Sequence, residues 1–179
     1  MDDKKGSFKP VVIALLISFL IAIFWNSMGF IRNSVHAILD PSAGALLNWN
    51  LHWGMIVIIL ILSIITTLAQ KYTTDQEGLK KIREEQKALQ EEMKKHKDNP
   101  QKVMELQKKS FEYVPQTFKL SMGGMVYTAI PLILFFRWFM DYFAAVGSPK
   151  FFGFMGWVVF YLIGSIIFSS ILRKTFKVV

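Results

Sequence analysis

The chain contains no cysteine, which removes disulfides, thiol nucleophiles and cysteine-ligated metals. It also lacks the short signatures that carry much of enzyme chemistry: no HExxH, phosphate-binding loop, glycine-rich dinucleotide turn or serine-nucleophile elbow occurs. Its three histidines, His36, His52 and His96, are too dispersed to form a metal cluster. No catalytic residue, metal site or cofactor is therefore expected, and the sequence reads as that of a non-enzyme. A further absence says more. The stretches 10–31, 51–69 and 151–172 contain no Asp, Glu, Lys or Arg.

What is present is sharply segregated. Hydrophobic residues make up 53% of the 179 and charged residues 19%, yet the two are not interleaved at a helical or strand period. The three uncharged stretches, and a fourth from about 118 to 144 that carries Lys119, Arg137 and Asp141, are each long enough to cross a hydrocarbon layer roughly 30 Å thick. In lipid they must be helical, because every backbone N–H and C=O needs a partner within the segment. The first block follows Lys4, Lys5 and Lys9, as a signal peptide would. It exceeds the usual length of such a segment, however, and Ala43-Gly44-Ala45 lies well beyond its end, so it reads as a retained helix.

Charge placement predicts orientation. Of the 21 Lys and Arg residues, twelve fall between Lys71 and Lys119, whereas 32–50 holds only Arg32 and 145–150 only Lys150. The positive-inside rule puts the central segment and both termini in the cytoplasm, consistent with four crossings of the plasma membrane. The net charge of +8 then reflects topology and anionic headgroups. DNA is not an expected partner, since nine acidic residues within 71–119 leave that segment only +3. Trp49, Trp53, Trp138, Tyr142 and Trp157 fall at the outer helix ends, as an interfacial belt should.

The segment from Thr74 to Lys97 is rich in strong helix formers, and Thr74 with Glu77 matches a capping box. Leu79, Ile82, Leu89 and Met93, with Gln86 between, follow coiled-coil spacing. Asn99-Pro100 caps and opens a return helix that places Val103, Leu106, Ser110 and Tyr113 on one side. The pair is expected to form an antiparallel hairpin whose contacts are Leu79, Ile82, Leu89, Met93, Val103 and Leu106.

Polar residues inside the apolar blocks fall on single helix faces. These faces are Ser63, Thr66, Thr67 and Gln70; Thr117, Ser121, Gly124 and Thr128; and Tyr161, Ser165 and Ser169, with Ser170 beside them. Small hydroxylated residues commonly mediate tight helix packing. Three stripes at the same depth beside one hairpin also suit a shared polar concavity open to the cytoplasm, and that reading is favoured. Arg137 and Asp141, spaced i, i+4, could pair near the outer end of their helix. Pro131 should kink that helix.

The stretches LAQKYTTDQEGLKKIREEQKALQEEM, SMGGMVYTAIPLILFFRWF and GWVVFYLIGSIIFSSILRK, within 51–177, resemble the archaeal YidC-like family, formerly domain of unknown function 106. That family belongs to the superfamily of YidC, Oxa and Alb insertases. The resemblance implies an all-α integral membrane protein with a three-helix transmembrane core at 51–71, 117–144 and 151–173, and a cytoplasmic antiparallel coiled-coil hairpin at 72–116. An extra N-terminal transmembrane helix with its tail (1–33), an extracytoplasmic loop (34–50) and a cytoplasmic tail (174–179) complete the chain. It also implies an insertase or chaperone with a hydrophilic groove at Ser63, Thr66, Thr67, Gln70, Thr117, Ser121, Thr128, Ser165 and Ser169. Nascent membrane proteins would be its clients, and a ribosome or targeting factor would meet the hairpin. Bacterial relatives carry a positive residue in that groove on the first core helix; here that helix is uncharged until Lys71. Two other readings use the same features: a small oligomeric ion channel, or a receptor or scaffold using only its coiled coil.

Overall fold

The computed structural model describes residues 8–178, and their secondary structure is helical apart from one isolated bridge between Phe151 and Met155. The order is α1 (Phe8–Phe24), α2 (Gly29–Leu39), a π-helical turn (Asp40–Gly44), α3 (Ala45–Trp49), α4 (Leu51–Thr73), α5 (Gln76–Lys95), α6 (Pro100–Ala145) and α7 (Trp157–Phe176). Helices α4, α6 and α7 are long and apolar enough to cross a membrane, and the bent α1–α2 segment could supply a fourth crossing.

The first apolar block does not form the single helix expected over 10–31. It stops at Phe24, whose carbonyl accepts the N–H groups of Ser27 and Met28, and the chain resumes at about 90°. Asn26, Ser27 and Gly29 weaken the helix locally. The new direction also carries Arg32 and His36 to Asp141 on α6. Residues 34–50, expected as a loop, are helical for the most part. On α1 the buried positions Val11, Ala14, Ser18, Ile21 and Trp25 are spaced 3, 4, 3, 4, so a seam of one small, one polar and three larger side chains packs on α6. Trp25, at the end of α1, meets Asp141, near the end of α6, so the two helices run parallel.

Helix starts follow local chemistry. Asn50 accepts from the N–H groups of His52 and Trp53 to open α4. Asp75, rather than the expected Thr74, caps α5 by accepting from the Gly78 N–H at 2.9 Å. The Thr74 hydroxyl is already committed, donating to the Gln70 carbonyl at 2.6 Å. Asn99 caps α6 through the Lys102 N–H, with Pro100 in the first position as expected.

From there α6 runs unbroken for 46 residues, about 69 Å, through Pro115 and Pro131. The return arm of the hairpin and the following apolar span are therefore one continuous helix, and the boundary expected at 116–117 is not a break in it. Helix α5 packs back along the first part of α6 with Leu79, Ile82 and Leu106 buried between them, and Leu89, Met93 and Val103 half-buried. Glu85 accepts a hydrogen bond from the Tyr113 hydroxyl across the pair, which raises the Tyr113 pKa above its ordinary value.

The core sits at the end of the bundle away from the hairpin. There Trp138, Phe139, Phe143, Phe151, Phe160 and Tyr161 pack with Met55, Ile58, Ile59 and Leu62. Phe143 stacks on Trp157 at 5.4 Å and Phe151 on Phe160 at 4.3 Å. Trp138, read from the sequence as a belt residue, is instead fully buried and donates to Asp40 Oδ1 at 2.7 Å. Trp49 and Trp53 are exposed.

Candidate functional site

At the hairpin end the packing opens. Where α5 meets the bundle, a cavity of about 500 Å³ lies between α4, α5, α6 and the end of α7. Gln70 and Thr74 line it from the α4–α5 elbow, and Gln76, Leu79 and Gln86 from α5. Helix α6 contributes Thr117, Ser121, Gly124 and Thr128, interleaved with Val114, Phe118 and Met125; Arg173 and Val178 close it from the α7 side. Among these described residues Arg173 alone is charged, and its Nη2 donates to Gln70 Oε1 at 2.6 Å. A volume of this size would hold a drug-sized ligand or a short piece of polypeptide.

The close approach that shapes the cavity depends on glycine. A Cβ on Gly123 would lie 1.9 Å from the Thr73 carbonyl oxygen, and one on Gly124 would meet Thr74 Cγ2 at 3.1 Å and Gln70 Cγ at 3.2 Å. The Gly-Gly pair thus lets the end of α4 lie directly on α6. Gln76 donates to Thr74 and to the Gln70 carbonyl, tying the elbow to the same spot.

The structure brings together some of the predicted groove residues and separates others. Gln70, Thr117, Ser121 and Thr128 line the cavity. Ser63 and Thr67 do not; at 3% and 2% exposure they are packed into the bundle, where small polar side chains let helices approach. Thr66 turns its hydroxyl back to the Leu62 carbonyl, and Ser165 bonds the Leu162 carbonyl. Ser169 is half-buried and also outside the lining. Thr128 likewise donates to its own helix, at the Gly124 carbonyl, while Thr117 Oγ1 is buried with no hydrogen bond in the protein. Sequence reasoning missed Thr74, Gln76, Gln86 and Arg173. Gln86 was legible as a polar residue in an apolar seam, and Arg173 as the first charge after an apolar span.

A second polar cluster lies at the opposite end. Asp141 Oδ2 accepts from Trp25 Nε1 at 2.8 Å and Arg32 Nε at 3.0 Å, and lies 3.1 Å from His36 Nε2. His36 Nδ1 is 3.1 Å from Asp40 Oδ1, the atom that accepts from Trp138. The i, i+4 pair expected between Arg137 and Asp141 is not among these contacts. Arg137 sits 5.8 Å over the Trp25 ring and points Nη1 toward Met140 Sδ, while Trp25, Arg32 and His36 gather on Asp141 Oδ2. This cluster ties α1 and α2 to α6 and acts as a structural fastening.

Fold and site together define a helical integral membrane protein, packed with aromatics at one end and holding a polar cavity beneath a helical hairpin at the other. The chain belongs to the EMC3/TMCO1-like family of integral membrane proteins, whose family model matches residues 36–151. That family lies within the Oxa1/YidC/Alb3 insertase-related superfamily. The match takes in α3 to α6, and leaves α1 and α7 outside. Searches of curated proteins and of solved structures find no match.

Proposed function

We propose that the protein is a membrane-protein insertase or chaperone of the archaeal YidC-like kind, working from the cytoplasmic side without bond chemistry. The cavity under the hairpin is the observation that carries this reading. It offers hydroxyl and amide groups and one guanidinium to chain segments that would otherwise enter hydrocarbon unsatisfied, at several kcal/mol per group. Polar parts of a nascent client would lodge against Gln70, Ser121, Thr128 and Arg173 while its apolar segment passes into lipid beside them. One cation reaches the cavity, Arg173, supplied from the end of α7. With the hairpin and termini in the cytoplasm, a coiled-coil α5–α6 arm is placed to meet a ribosome or targeting factor. An ion pathway along a single copy is disfavoured by the aromatic packing around Trp138, Phe139 and Phe143.

Photo-crosslinkers at Gln70, Ser121 and Thr128 are expected to capture a single-span membrane protein during its translation in the presence of vesicles containing the full chain. Ser63 and Thr67 should capture little, being packed away. Equal capture at all five positions, or none at the first three, would refute the cavity as the client's site.

A further inference from the structure

His36 stands between two carboxylates. Its Nδ1 lies 3.1 Å from Asp40 Oδ1 and 3.2 Å from Asp40 Oδ2, and its Nε2 lies 3.1 Å from Asp141 Oδ2. An ionised carboxylate only accepts, so each of the two links needs its own proton, and a neutral imidazole carries one. With that one alone, the other ring nitrogen would turn a lone pair toward an oxygen lone pair at the same short distance, and one link would become repulsive.

The neighbours do not supply the missing proton. Trp25 and Arg32 donate to Asp141 Oδ2 and Trp138 to Asp40 Oδ1, so these donors serve the carboxylates and not the ring. The charged or titratable groups around His36 are Arg32 and Asp40 on its own helix, and Asp141 with Arg137 and Tyr142 beside it on α6. Arg137 stands over the Trp25 ring, and the Tyr142 hydroxyl donates to Asn48. From α1 the cluster receives the Trp25 indole, which carries no charge. A positive His36 together with Arg32 balances the two carboxylates, so the cluster accommodates the extra charge. The bridge matters because α2 has little else to hold it. None of its residues is fully buried, and half-buried Val35 and Leu39 make its apolar contact with the core. Leu39, with Ser42, Ala43 and Leu46 beyond it, also walls an apolar space of about 270 Å³ against α4 and Phe135 of α6.

We infer that the Asp40–His36–Asp141 bridge holds one proton more than two carboxylates and a neutral imidazole would, and that losing it frees α2 from α6. The fastened form then binds a proton that the displaced form, with His36 in water, does not need. Fastening is complete on the acid side and is lost as pH rises through the imidazole range. On the proposed topology this end faces away from the cytoplasm, so the strap would respond to the outside medium and shift one wall of the apolar space. The inference is independent of the insertase reading.

Spin labels on the full chain in detergent test this, at Asn33→Cys on α2 and Ala144→Cys on α6, both exposed positions. The label-to-label distance should form one short population at about pH 5 and give way to a longer one by about pH 8, a window in which imidazole is the side chain that ordinarily changes charge. The ratio of the two populations should change by at most about tenfold per pH unit, the limit for a single proton. In His36→Gln the distribution should be the same at both pH values. Asp40→Asn should keep α2 fastened throughout. Its Oδ1 can still accept from Trp138 while its amide N–H, in the place of Oδ2, donates to His36 Nδ1 and leaves Nε2–H for Asp141. A distance in the unaltered chain that does not move with pH would overturn the proposal. So would a shift that persists in His36→Gln, or an Asp40→Asn chain that releases α2 as the unaltered chain does.

Discussion

Replacing Asp141 with alanine is expected to destabilise the bundle by about 3 kcal/mol and to release α1 and α2 from α6. One carboxylate oxygen receives three groups there: Trp25 Nε1, Arg32 Nε and His36 Nε2. Trp25 is fully buried, so its indole N–H would be left without an acceptor, and that desolvation supplies much of the loss. Arg32 is 41% exposed, and its ion pair adds correspondingly little because water screens it. Thermal unfolding in detergent, with limited proteolysis at 26–34, measures both effects. The partners are separable by double-mutant cycles. Arg32→Ala should show a small coupling to Asp141→Ala, of the size of a screened ion pair, and Arg137→Ala should be additive with it; a larger coupling for Arg137 than for Arg32 would restore the i, i+4 pair that the sequence suggested.

Gly123→Ala should be the most damaging single methyl group at the hairpin end. The new carbon would stand 1.9 Å from the Thr73 carbonyl oxygen, a backbone atom that no rotamer change can move aside. Separating α4 from α6 there is expected to cost about 1–3 kcal/mol, the usual range for overpacking, and to draw Gln70 and Arg173 away from Ser121. Loss of client crosslinking at Ser121 should accompany the fall in unfolding temperature. Gly29→Ala, where nothing lies within 4 Å of the added carbon, is the control and should leave client crosslinking at Ser121 unchanged.

How much of this was legible in the sequence depends on which interaction fixed each element. Hydropathy alone marked α4, α6 and α7 as spans, because membrane insertion depends on a sum over about twenty residues and tolerates local error. The Asn99-Pro100 start of α6 was legible for the opposite reason: it is decided by two adjacent residues. The break after Phe24 was not, since it is set jointly by weak helix formers and by Asp141, more than a hundred positions away. The capping of α5 shifted by one residue because Thr74 found a partner in Gln70.

The polar stripes show the same division. Helical spacing identified which hydroxyls share a face, and on α6 that face is the cavity wall. On α4 the stripe splits: Ser63 and Thr67 are packed away and only Gln70 reaches the cavity. Periodicity gives a direction around one helix, but whether that direction meets a neighbour or a space depends on how the helices lean. Here the aromatic end draws α4, α6 and α7 together, while α5, entering at the elbow over Gly123 and Gly124, flanks the space at the other end.

Ser121 and Thr128 line the cavity at the hairpin end of the bundle, and on the proposed reading water reaches it from that side alone. The chain's lack of cysteine makes single-thiol labelling a direct test. In sealed vesicles of known orientation, a membrane-impermeant maleimide should modify Ser121→Cys and Thr128→Cys from the same side as Lys97→Cys in the hairpin turn, and Ser63→Cys from neither. Labelling of Thr128→Cys from the opposite side, or its protection while Lys97→Cys reacts fully, would contradict the account.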